Sequence, residues 1–283
     1  MSDSDVLITV EGLTKRFGSA RRGTLALDDV SFELRQGEVL GLVGESGSGK
    51  STAIRCMVGL ERSTGGTISY RGTPLRGASH ADLQRYRREV QMVFQDPYSS
   101  LDPRMTVGQI VEEPMLVVGG FSARERRNRV VELMERVGLG EEHLNRYPRH
   151  FSGGQRQRIA IVRALSVGPK VLLCDEPVSA LDVSVQAQVL NLLKDMQREL
   201  DLTVLFVAHD LAVVKYLCTS LVVLHHGVVA ERGTVGQIYG DPQAGYTRDL
   251  LEAVPVPDVR IERERRAIRI AARARAAAGA GVR

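Results

Sequence analysis

The chain has 283 residues, of which 43% are hydrophobic and 25% are charged, the composition of an ordinary globular protein. Its net charge of +4 would suit a nucleic-acid or membrane-surface binder, but residues 260–283 alone contain eight Arg and two Glu. That tail therefore carries +6 and leaves −2 for the rest of the chain. Because the basic charge is confined to the tail, a DNA-binding groove across the folded part is not expected.

Cysteine usage and apolar patterning exclude further classes. The three cysteines, Cys56, Cys174 and Cys218, form neither a CxxC pair nor a Cys/His cluster, so we expect no disulfide framework, no structural zinc and a reducing compartment. Residues 1–5 are acidic and lack the pattern of a signal peptide. No apolar run approaches the roughly 20 residues of a membrane span. We therefore expect another chain to cross any membrane at which this protein works.

Four apolar runs of strand length predict a mostly parallel sheet. An alternation of apolar and polar residues from Val30 to Leu34 predicts a half-buried strand before them. Polar clusters follow the first three runs, at the edge where open parallel sheets bind ligands. Because such runs alternate with helical stretches, we predict an α/β fold. The runs are Val39–Val43, Val171–Cys174, Thr203–Ala208 and Ser220–Leu224, the last followed by a turn at 225–227.

The middle of the chain is predicted to be helical. Between Ser122 and Val137, apolar residues recur at the spacing of an amphipathic helix, and Ser122 with Glu125 forms a capping-box pattern. We place a helical subdomain at about residues 96–167 on this basis. The tail after Pro257 is rich in Ala and Arg, which suits a helix, but nothing in the sequence gives that helix a partner.

The sequence from Gly44 to Thr52 fits the P-loop pattern G-x4-G-K-[ST] and directly follows an apolar strand. Its glycines permit the tight wrap in which backbone N–H groups point at phosphate oxygens, and the following helix adds its positive end. A chance match is expected only roughly 0.006 times in a chain of this composition. We predict that Lys50 contacts the β- and γ-phosphates and that the Ser51 hydroxyl binds Mg²⁺. The predicted nucleotide-binding residues are Gly44, Glu45, Ser46, Gly47, Ser48, Gly49, Lys50, Ser51 and Thr52.

A second feature is the apolar strand Val171–Cys174, which ends in Asp175 and Glu176. An acid at the end of such a strand is the Mg²⁺-side partner of a P-loop. We predict that Asp175 holds Mg²⁺, directly or through water, and that Glu176 orients or deprotonates the attacking water. Alone, an apolar run ending in Asp-Glu is a weak indication, and its weight comes from the P-loop in the same chain.

Four consecutive residues, Ser152, Gly153, Gly154 and Gln155, place a hydroxyl and bare glycine amides at a helix start, where an anion binds readily. An ordinary N-cap serine explains them equally well. With Phe151 in the place of the usual Leu, they resemble the signature of ATP-binding-cassette (ABC) ATPases. Further motifs of that family follow in the family's order. Gln95 resembles the Q-loop glutamine, Ser179–Asp182 the D-loop, His209 the switch histidine, and Phe17 the aromatic residue that stacks on adenine.

The resemblance covers about residues 6–257 and implies a P-loop NTPase with a RecA-like core, an antiparallel β-subdomain and a helical subdomain that carries the signature. It implies that ATP binds between the P-loop of one cassette and the signature of a second cassette facing it head to tail, with Asp182 of the D-loop among the ATP-binding residues. The γ-phosphate would hold this dimer closed, and its hydrolysis would let the dimer open.

The resemblance also implies roles for individual residues. Gln95 would sense Mg²⁺ and the attacking water while relaying to a membrane partner, and His209 would contact the γ-phosphate and hold the closed site. The implied catalytic residues are Glu176, His209 and Gln95, and the implied Mg²⁺ ligands are Ser51, Gln95 and Asp175.

Three longer stretches, Phe94–Arg104, Val178–Gln188 and Asp241–Asp258, resemble the ATP-binding subunits of oligopeptide and dipeptide importers. The third belongs to a C-terminal extension at about 233–258, and its Ala244-Gly245 stands where that subfamily often has His-Pro. The segment 218–220 also departs from the usual Cys-Asp-Arg. Some subunits of that subfamily carry an iron–sulfur site in a cysteine-rich C-terminus. Since no cysteine follows Cys218, we expect no such site here.

The importer resemblance implies ATP-driven uptake of peptides, or of a related solute such as nickel chelates or glutathione, from the cytoplasmic face of the plasma membrane. The partners would be two membrane-spanning permease subunits and an external solute-binding protein. A homologous sister ATPase subunit is favoured over a second copy of this chain.

The sequence also leaves other kinds of ABC ATPase to be weighed. A soluble enzyme of DNA repair would need a long coiled coil between P-loop and signature, and the roughly 100 residues from Gly44 to Ser152 are too few for one. Translation ATPases of the family usually carry two cassettes, whereas this chain has one. An export cassette is disfavoured by the subfamily motifs, and a regulatory cassette by the complete catalytic set. No specific nucleic-acid partner is expected, although the basic tail has the charge to hold RNA or lipid headgroups.

Overall fold

Two β-sheets and a helical segment make up the part of the chain that the structure, a computed structural model, describes: residues 5–19 and 23–253. The predicted tail at 259–283 and the end of the predicted extension lie outside it. The strands are β1 (Val6–Phe17), β2 (Thr24–Arg35), β3 (Val39–Val43), β4 (Gly65–Tyr70), β5 (Thr73–Pro74), β6 (Val90–Val93), β7 (Val171–Asp175), β8 (Thr203–Ala208), β9 (Ser220–His225) and β10 (Val228–Thr234). The helices are α1 (Lys50–Met57), α2 (His80–Glu89), α3 (Pro97–Ser100), α4 (Val107–Val118), α5 (Ala123–Arg136), α6 (Gly153–Leu165), α7 (Val183–Glu199), α8 (Leu211–Leu217), α9 (Val235–Gly240) and α10 (Gly245–Glu252), with 3₁₀ turns at Glu141–His143 and Pro148–His150.

The larger sheet has six strands in the order β10-β9-β3-β8-β7-β6, and all neighbours are parallel except the β9–β10 hairpin. Every residue of β3, β7 and β8 is buried, because helices cover both faces of a parallel sheet. The side chains of β3 alternate between two cores. Leu40 and Leu42 pack in the core that includes α1, whereas Val39 and Val43 pack in the core that includes α6 and α7. This architecture agrees with the predicted α/β class.

The smaller sheet is antiparallel, with the order β2-β1-β4-β5. Its buried residues, among them Ile8 and Leu13, share one core with Ile54 of α1. The alternation seen in the sequence from Val30 to Leu34 covers only the second half of β2. The register of β1 shifts at several points along its pairing with β2, and such irregularities break the strict period of two by which strands are recognised.

Between β6 and β7 the chain forms α3 to α6, in the region where the sequence predicts helices. The capping box predicted at the start of α5 is present: Ser122 Oγ accepts from the Glu125 amide at 3.3 Å, and Glu125 Oε2 accepts from the Ser122 amide at 2.7 Å. Arg163 of α6 donates to the Ser100 carbonyl at 3.2 Å and to Glu113 Oε2 at 3.0 Å. This one guanidinium therefore ties α3 and α4 to α6.

The last described elements, α9 and α10, pack against the β9–β10 hairpin. Strand β9 continues through His225, one residue beyond the predicted run, so the turn itself is His226-Gly227. Within residues 5–19 and 23–253, no helix combines the length and the apolar character that a bilayer span requires. The three cysteines are free and buried.

Candidate active site

The carboxyl ends of three neighbouring strands meet at one edge of the larger sheet. Val43 of β3 pairs with Ala208 of β8, and Asp175 of β7 pairs with Val207 of β8. The residues that follow these ends in the sequence therefore lie side by side, as expected for the ligand-binding edge of an open parallel sheet. They include the P-loop, Glu176 and His209.

The P-loop requires glycine at particular positions. Gly44 has φ +151° and Gly49 has φ +106°, backbone conformations that side-chain-bearing residues rarely adopt. A Cβ on Gly44 would lie 2.2 Å from the Leu224 carbonyl oxygen, and one on Gly49 would lie 2.5 Å from the Ala26 carbonyl oxygen. The loop is thus wedged between β9 and β2, with no room for side chains at either position.

Lys50 is buried at the start of α1 and folds back over its own loop. Its Nζ donates to the Gly44 carbonyl at 2.8 Å and to the Glu45 carbonyl at 2.7 Å, and it lies 4.0 Å from Glu176 Oε1. Burial lowers the pKa of Lys50, while the nearby carboxylates of Glu176, Asp175 and Glu45 oppose that shift. The ammonium therefore stands between two carbonyls and the acidic pair.

Ser51 and Asp175 form a close oxygen pair. Ser51 Oγ donates to Asp175 Oδ1 at 2.8 Å, although 124 residues separate them in sequence. Burial raises the pKa of Asp175, and the hydrogen bond from Ser51 acts against that rise. A hydroxyl beside a carboxylate is a set of hard oxygen ligands suited to Mg²⁺, which is usually held by one or two carboxylates together with substrate phosphates.

Glu176 has a strained backbone, with φ +44°, and its amide donates to the Val207 carbonyl at 3.1 Å. Its Oε2 receives two side-chain contacts: Gln95 Nε2 donates at 3.2 Å, and His209 Nδ1 lies at 3.0 Å. Because a carboxylate oxygen only accepts hydrogen bonds, His209 Nδ1 is the donor in this contact. The structure thus places two of the predicted catalytic residues, Gln95 and His209, in contact with the carboxylate of the third, Glu176.

The predicted signature residues lie at the N-terminus of α6. Ser152 Oγ accepts from the Gln155 amide at 3.3 Å, and Gln155 Oε1 accepts from the Ser152 amide at 3.0 Å. The structure thus shows Ser152 in the N-cap role, and its side chain remains exposed. Binding of an anion by this segment stays a prediction. A Cβ on Gly154 would lie 2.2 Å from Val185 Cγ1, so close packing of α6 on α7 also requires glycine there. Within the described residues, no hydrogen bond or ion pair joins this segment to the P-loop.

The two remaining predicted residues lie outside the cluster around Glu176. Asp182 is the exposed N-cap residue of α7 and its side chain makes no capping hydrogen bond. Phe17 is the last residue of β1, and its side chain is 41% exposed. Lys15 Nζ lies over its ring, 4.6 Å from the ring centre. Lys15 is itself paired with Glu61 at 2.8 Å.

Two features of the site cannot be predicted from the sequence. Ser48 Oγ is buried inside the P-loop without a hydrogen-bond partner. The Glu45 amide donates to the hydroxyl of Tyr246 at 3.2 Å, a contact between residues 201 positions apart. No local pattern predicts such a contact, although Tyr246 does lie in a stretch that resembles the importer subfamily.

A glycine-rich loop after β3 and an acidic pair at the end of the nearby β7, on a mostly parallel sheet, define a nucleotide-binding protein of the P-loop class. Comparison with known proteins narrows the class. Residues 27–179 match the profile of the ABC transporter family. The oligopeptide transport ATP-binding protein OppF of Bacillus subtilis (strain 168) is 47% identical over 264 residues, which cover 93% of this chain and 87% of that protein. The protein of the same name from Salmonella typhimurium is 48% identical over 242 residues, covering 85% and 72% of the two chains.

Solved structures agree with the sequence comparison. A dimeric post-hydrolysis state of the ATP-binding cassette MJ0796 bound to ADP and Pi has a TM-score of 0.72 and 31% identity, covering 81% of this chain and 99% of that one. The protein cbiO1 from Clostridium perfringens, part of the ABC transporter complex cbiONQ, has a TM-score of 0.73 and 30% identity, covering 84% and 92%. The chain belongs to the ABC transporter family and is an ATPase cassette of that family. The predicted family and fold are confirmed.

Proposed function

We propose that this chain is the ATP-hydrolysing subunit of an importer for oligopeptides or dipeptides, located at the cytoplasmic face of the plasma membrane. The observation that carries the ATPase site is the convergence of Gln95 and His209 on the carboxylate of Glu176, beside Lys50. Support for a peptide as the cargo comes from the relatives, whose names describe oligopeptide transport. A related small solute is the alternative cargo.

The P-loop fits the phosphates of ATP. Its glycine-dependent wrap and the start of α1 present backbone amides to an anion. The unpartnered hydroxyl of Ser48 is a further buried polar group inside the loop. On binding, the Lys50 ammonium exchanges the carbonyls of Gly44 and Glu45 for the β- and γ-phosphates.

Ser51, Asp175 and Gln95 are the residues that would hold Mg²⁺, and the oxygen pair of Ser51 and Asp175 fits that ion. When bound, Mg²⁺ neutralises charge that develops on the phosphates. Glu176 is the general base: its carboxylate orients and deprotonates the attacking water, while Gln95 and His209 fix its direction. His209 also contacts the γ-phosphate by donating a hydrogen bond from Nε2, since phosphate oxygens accept hydrogen bonds.

A second cassette completes the site. The N-terminus of α6, with the exposed Ser152 followed by Gly153, Gly154 and Gln155, binds the γ-phosphate held by the P-loop of the facing chain. Asp182 also contributes to this ATP site. Phe17 stacks on the adenine ring. The facing cassette is a homologous sister subunit. The dimeric state of the structural relative MJ0796 supports a dimer of cassettes.

An apolar groove on the described part of the chain supports docking of the membrane partners. A groove between α4, α6 and β6 is lined by apolar residues that include Met92 and Phe94, next to Gln95 in sequence. At its rim, Val117 is 81% exposed and Leu60 is 59% exposed, which is unusual for a surface that stays in water. Two permease subunits dock here, one on each cassette, and receive the solute from an external binding protein.

A soluble ABC ATPase of DNA repair or translation is not favoured, because the relatives that match most of this chain are transport subunits. The decisive experiment uses the assembled transporter in lipid vesicles with its binding protein. We expect ATP-dependent uptake of a labelled peptide, and we expect Glu176→Gln to abolish uptake and ATP hydrolysis while ATP binding survives. Retained hydrolysis in Glu176→Gln would refute the assignment of the base. ATP hydrolysis without uptake of any peptide would refute the cargo alone.

A further inference from the structure

The peptide unit between Gly44 and Glu45 is hydrogen-bonded at both of its ends. Its carbonyl, that of Gly44, accepts from Lys50 Nζ at 2.8 Å. Its N–H, that of Glu45, donates to the hydroxyl of Tyr246 at 3.2 Å. Hydrogen bonds at the two ends of one amide polarise each other and fix the plane of that peptide. The orientation of the group that holds Lys50 therefore depends on a tyrosine from the C-terminal helix α10.

Tyr246 is itself held in place by the larger sheet. Its ring stacks on His225, with ring centres 3.8 Å apart and planes inclined by 15°. His225 is the last residue of β9, directly after Leu224, whose carbonyl oxygen blocks any side chain at Gly44. The same strand end thus positions both the tyrosine ring and the start of the P-loop.

A carboxylate anchors the chain just before Tyr246. Glu231 of β10 accepts from the Gln243 amide at 2.8 Å through Oε1 and from the Ala244 amide at 3.1 Å through Oε2. Ala244 has no side chain able to cap α10. The Glu231 carboxylate is therefore the group that fixes the entry of α10, and with it the position of the Tyr246 hydroxyl over the P-loop.

The β9–β10 turn touches the loop at a second point. The Gly227 amide donates to the Ser48 carbonyl at 3.1 Å, and the Gly227 carbonyl accepts from the Asp28 amide at 2.8 Å. The P-loop is thus supported from the same side by the hairpin turn and by α10. Of these contacts, only the one from Tyr246 is made by a side chain, so only it can be removed without altering the backbone.

We propose that Tyr246 is a positioning residue for ATP binding: α10, clamped by Glu231, holds the Gly44–Glu45 peptide, and with it the start of the P-loop, in the wrapped form that receives the phosphates. This inference rests on the proposed function, because it assumes that ATP binds at the P-loop. Tyr246 touches neither Glu176 nor Asp175 in the hydrogen bonds of the described residues. Its loss therefore weakens ATP binding and leaves the chemical step largely unchanged.

The test compares variants of the full chain in the assembled transporter, using titration with ATP and steady-state ATP hydrolysis. Tyr246→Phe keeps the ring on His225 and removes the hydroxyl. We expect a rise of about three- to tenfold in the Kd and KM for ATP, the effect of one hydrogen bond of ordinary strength, with kcat changed less than about twofold. Glu231→Gln, which leaves a single acceptor oxygen for the two amides, should shift KM in the same direction by a smaller factor.

The matched control is Tyr216→Phe, which removes a hydroxyl bonded to Asn191 between α8 and α7 and makes no P-loop contact. Its Kd for ATP should equal that of the wild type. An unchanged Kd and KM in Tyr246→Phe, or a fall in kcat at constant KM, overturns the positioning role. If Tyr246→Phe does not fold, the same criteria apply to Glu231→Gln. If the wild-type transporter does not bind ATP, the proposed function itself is refuted, and with it the basis of this inference.

Discussion

Alanine substitutions at two P-loop glycines distinguish the cost of an unfavourable backbone conformation from the cost of steric overlap. Gly47 and Gly49 both have positive φ, +81° and +106°. A Cβ on Gly47 would meet no heavy atom within 4 Å, whereas a Cβ on Gly49 would lie 2.5 Å from the Ala26 carbonyl oxygen and 2.8 Å from Leu27 Cδ2. Gly47→Ala therefore adds strain alone, while Gly49→Ala adds strain and must displace the backbone of β2.

The expected magnitudes follow from this difference. An unfavourable positive φ costs about 1–3 kcal/mol, and overpacking a filled site costs about 1–3 kcal/mol more. The Ala26 oxygen belongs to a strand and cannot swing aside as a flexible side chain does. We expect the free energy of unfolding to fall by about 1–3 kcal/mol in Gly47→Ala and by about 2–6 kcal/mol in Gly49→Ala, which adds the overpacking cost to the same backbone strain.

Thermal unfolding of the nucleotide-free chain, followed by circular dichroism, measures the difference. For a protein of this size each kcal/mol lowers Tm by about 2 °C, so we expect losses of about 2–6 °C for Gly47→Ala and about 4–12 °C for Gly49→Ala. ATP affinity should fall more in Gly49→Ala, since its overlap moves the loop at the start of α1. Equal losses of Tm, or a larger loss in Gly47→Ala, would show that contact with Ala26 does not decide the outcome.

Two further predictions concern buried polar groups. Burial raises the pKa of Asp175, so its charge destabilises the nucleotide-free fold at neutral pH, and this cost disappears as the pH falls through the raised pKa. The substitution Asp175→Asn keeps an oxygen that can accept from Ser51. It should raise Tm at pH 7 and leave Tm unchanged at acid pH, as thermal scans across pH would show. It should also abolish Mg²⁺-dependent ATP binding, as measured by nucleotide titration. The Tyr86 hydroxyl donates to the Met57 carbonyl at 2.8 Å in a buried setting, so Tyr86→Phe should lower the free energy of unfolding by about 1–2 kcal/mol, measured as a lower Tm; an unchanged Tm contradicts this.

The elements that the sequence predicts well are those whose determinants are local. Strands β3 and β8 are continuous buried runs, and their bounds match the predicted ones, Val39–Val43 and Thr203–Ala208. The capping box at Ser122 needs only a residue three positions later. The P-loop is likewise one short segment whose glycines, lysine and serine each have a separate physical reason.

Elements whose determinants are distant in sequence are not predictable in the same way. Strand β6 has four residues and follows α2 without a break, so no run or turn marks it, yet it completes the sheet and leads directly to Gln95. Two strands of the smaller sheet, β1 and β2, have 12 residues each, but bulges in β1 hide the alternation. The positive φ of Glu176 also has no sequence pattern, and the carbonyl that accepts from its amide belongs to Val207, a residue distant in sequence.

The electrostatics of the site explain how the loop keeps its shape before nucleotide arrives. A loop that presents amides to an anion gains nothing from them until that anion is bound, and its buried lysine would be costly without partners. Here Lys50 bonds two carbonyls of its own loop and lies 4.0 Å from Glu176. The cation thus serves as an internal ligand that holds the loop in a wrapped form. In the proposed function, ATP binding replaces these two carbonyl contacts with phosphate contacts and requires little reorganisation of the backbone, which favours affinity.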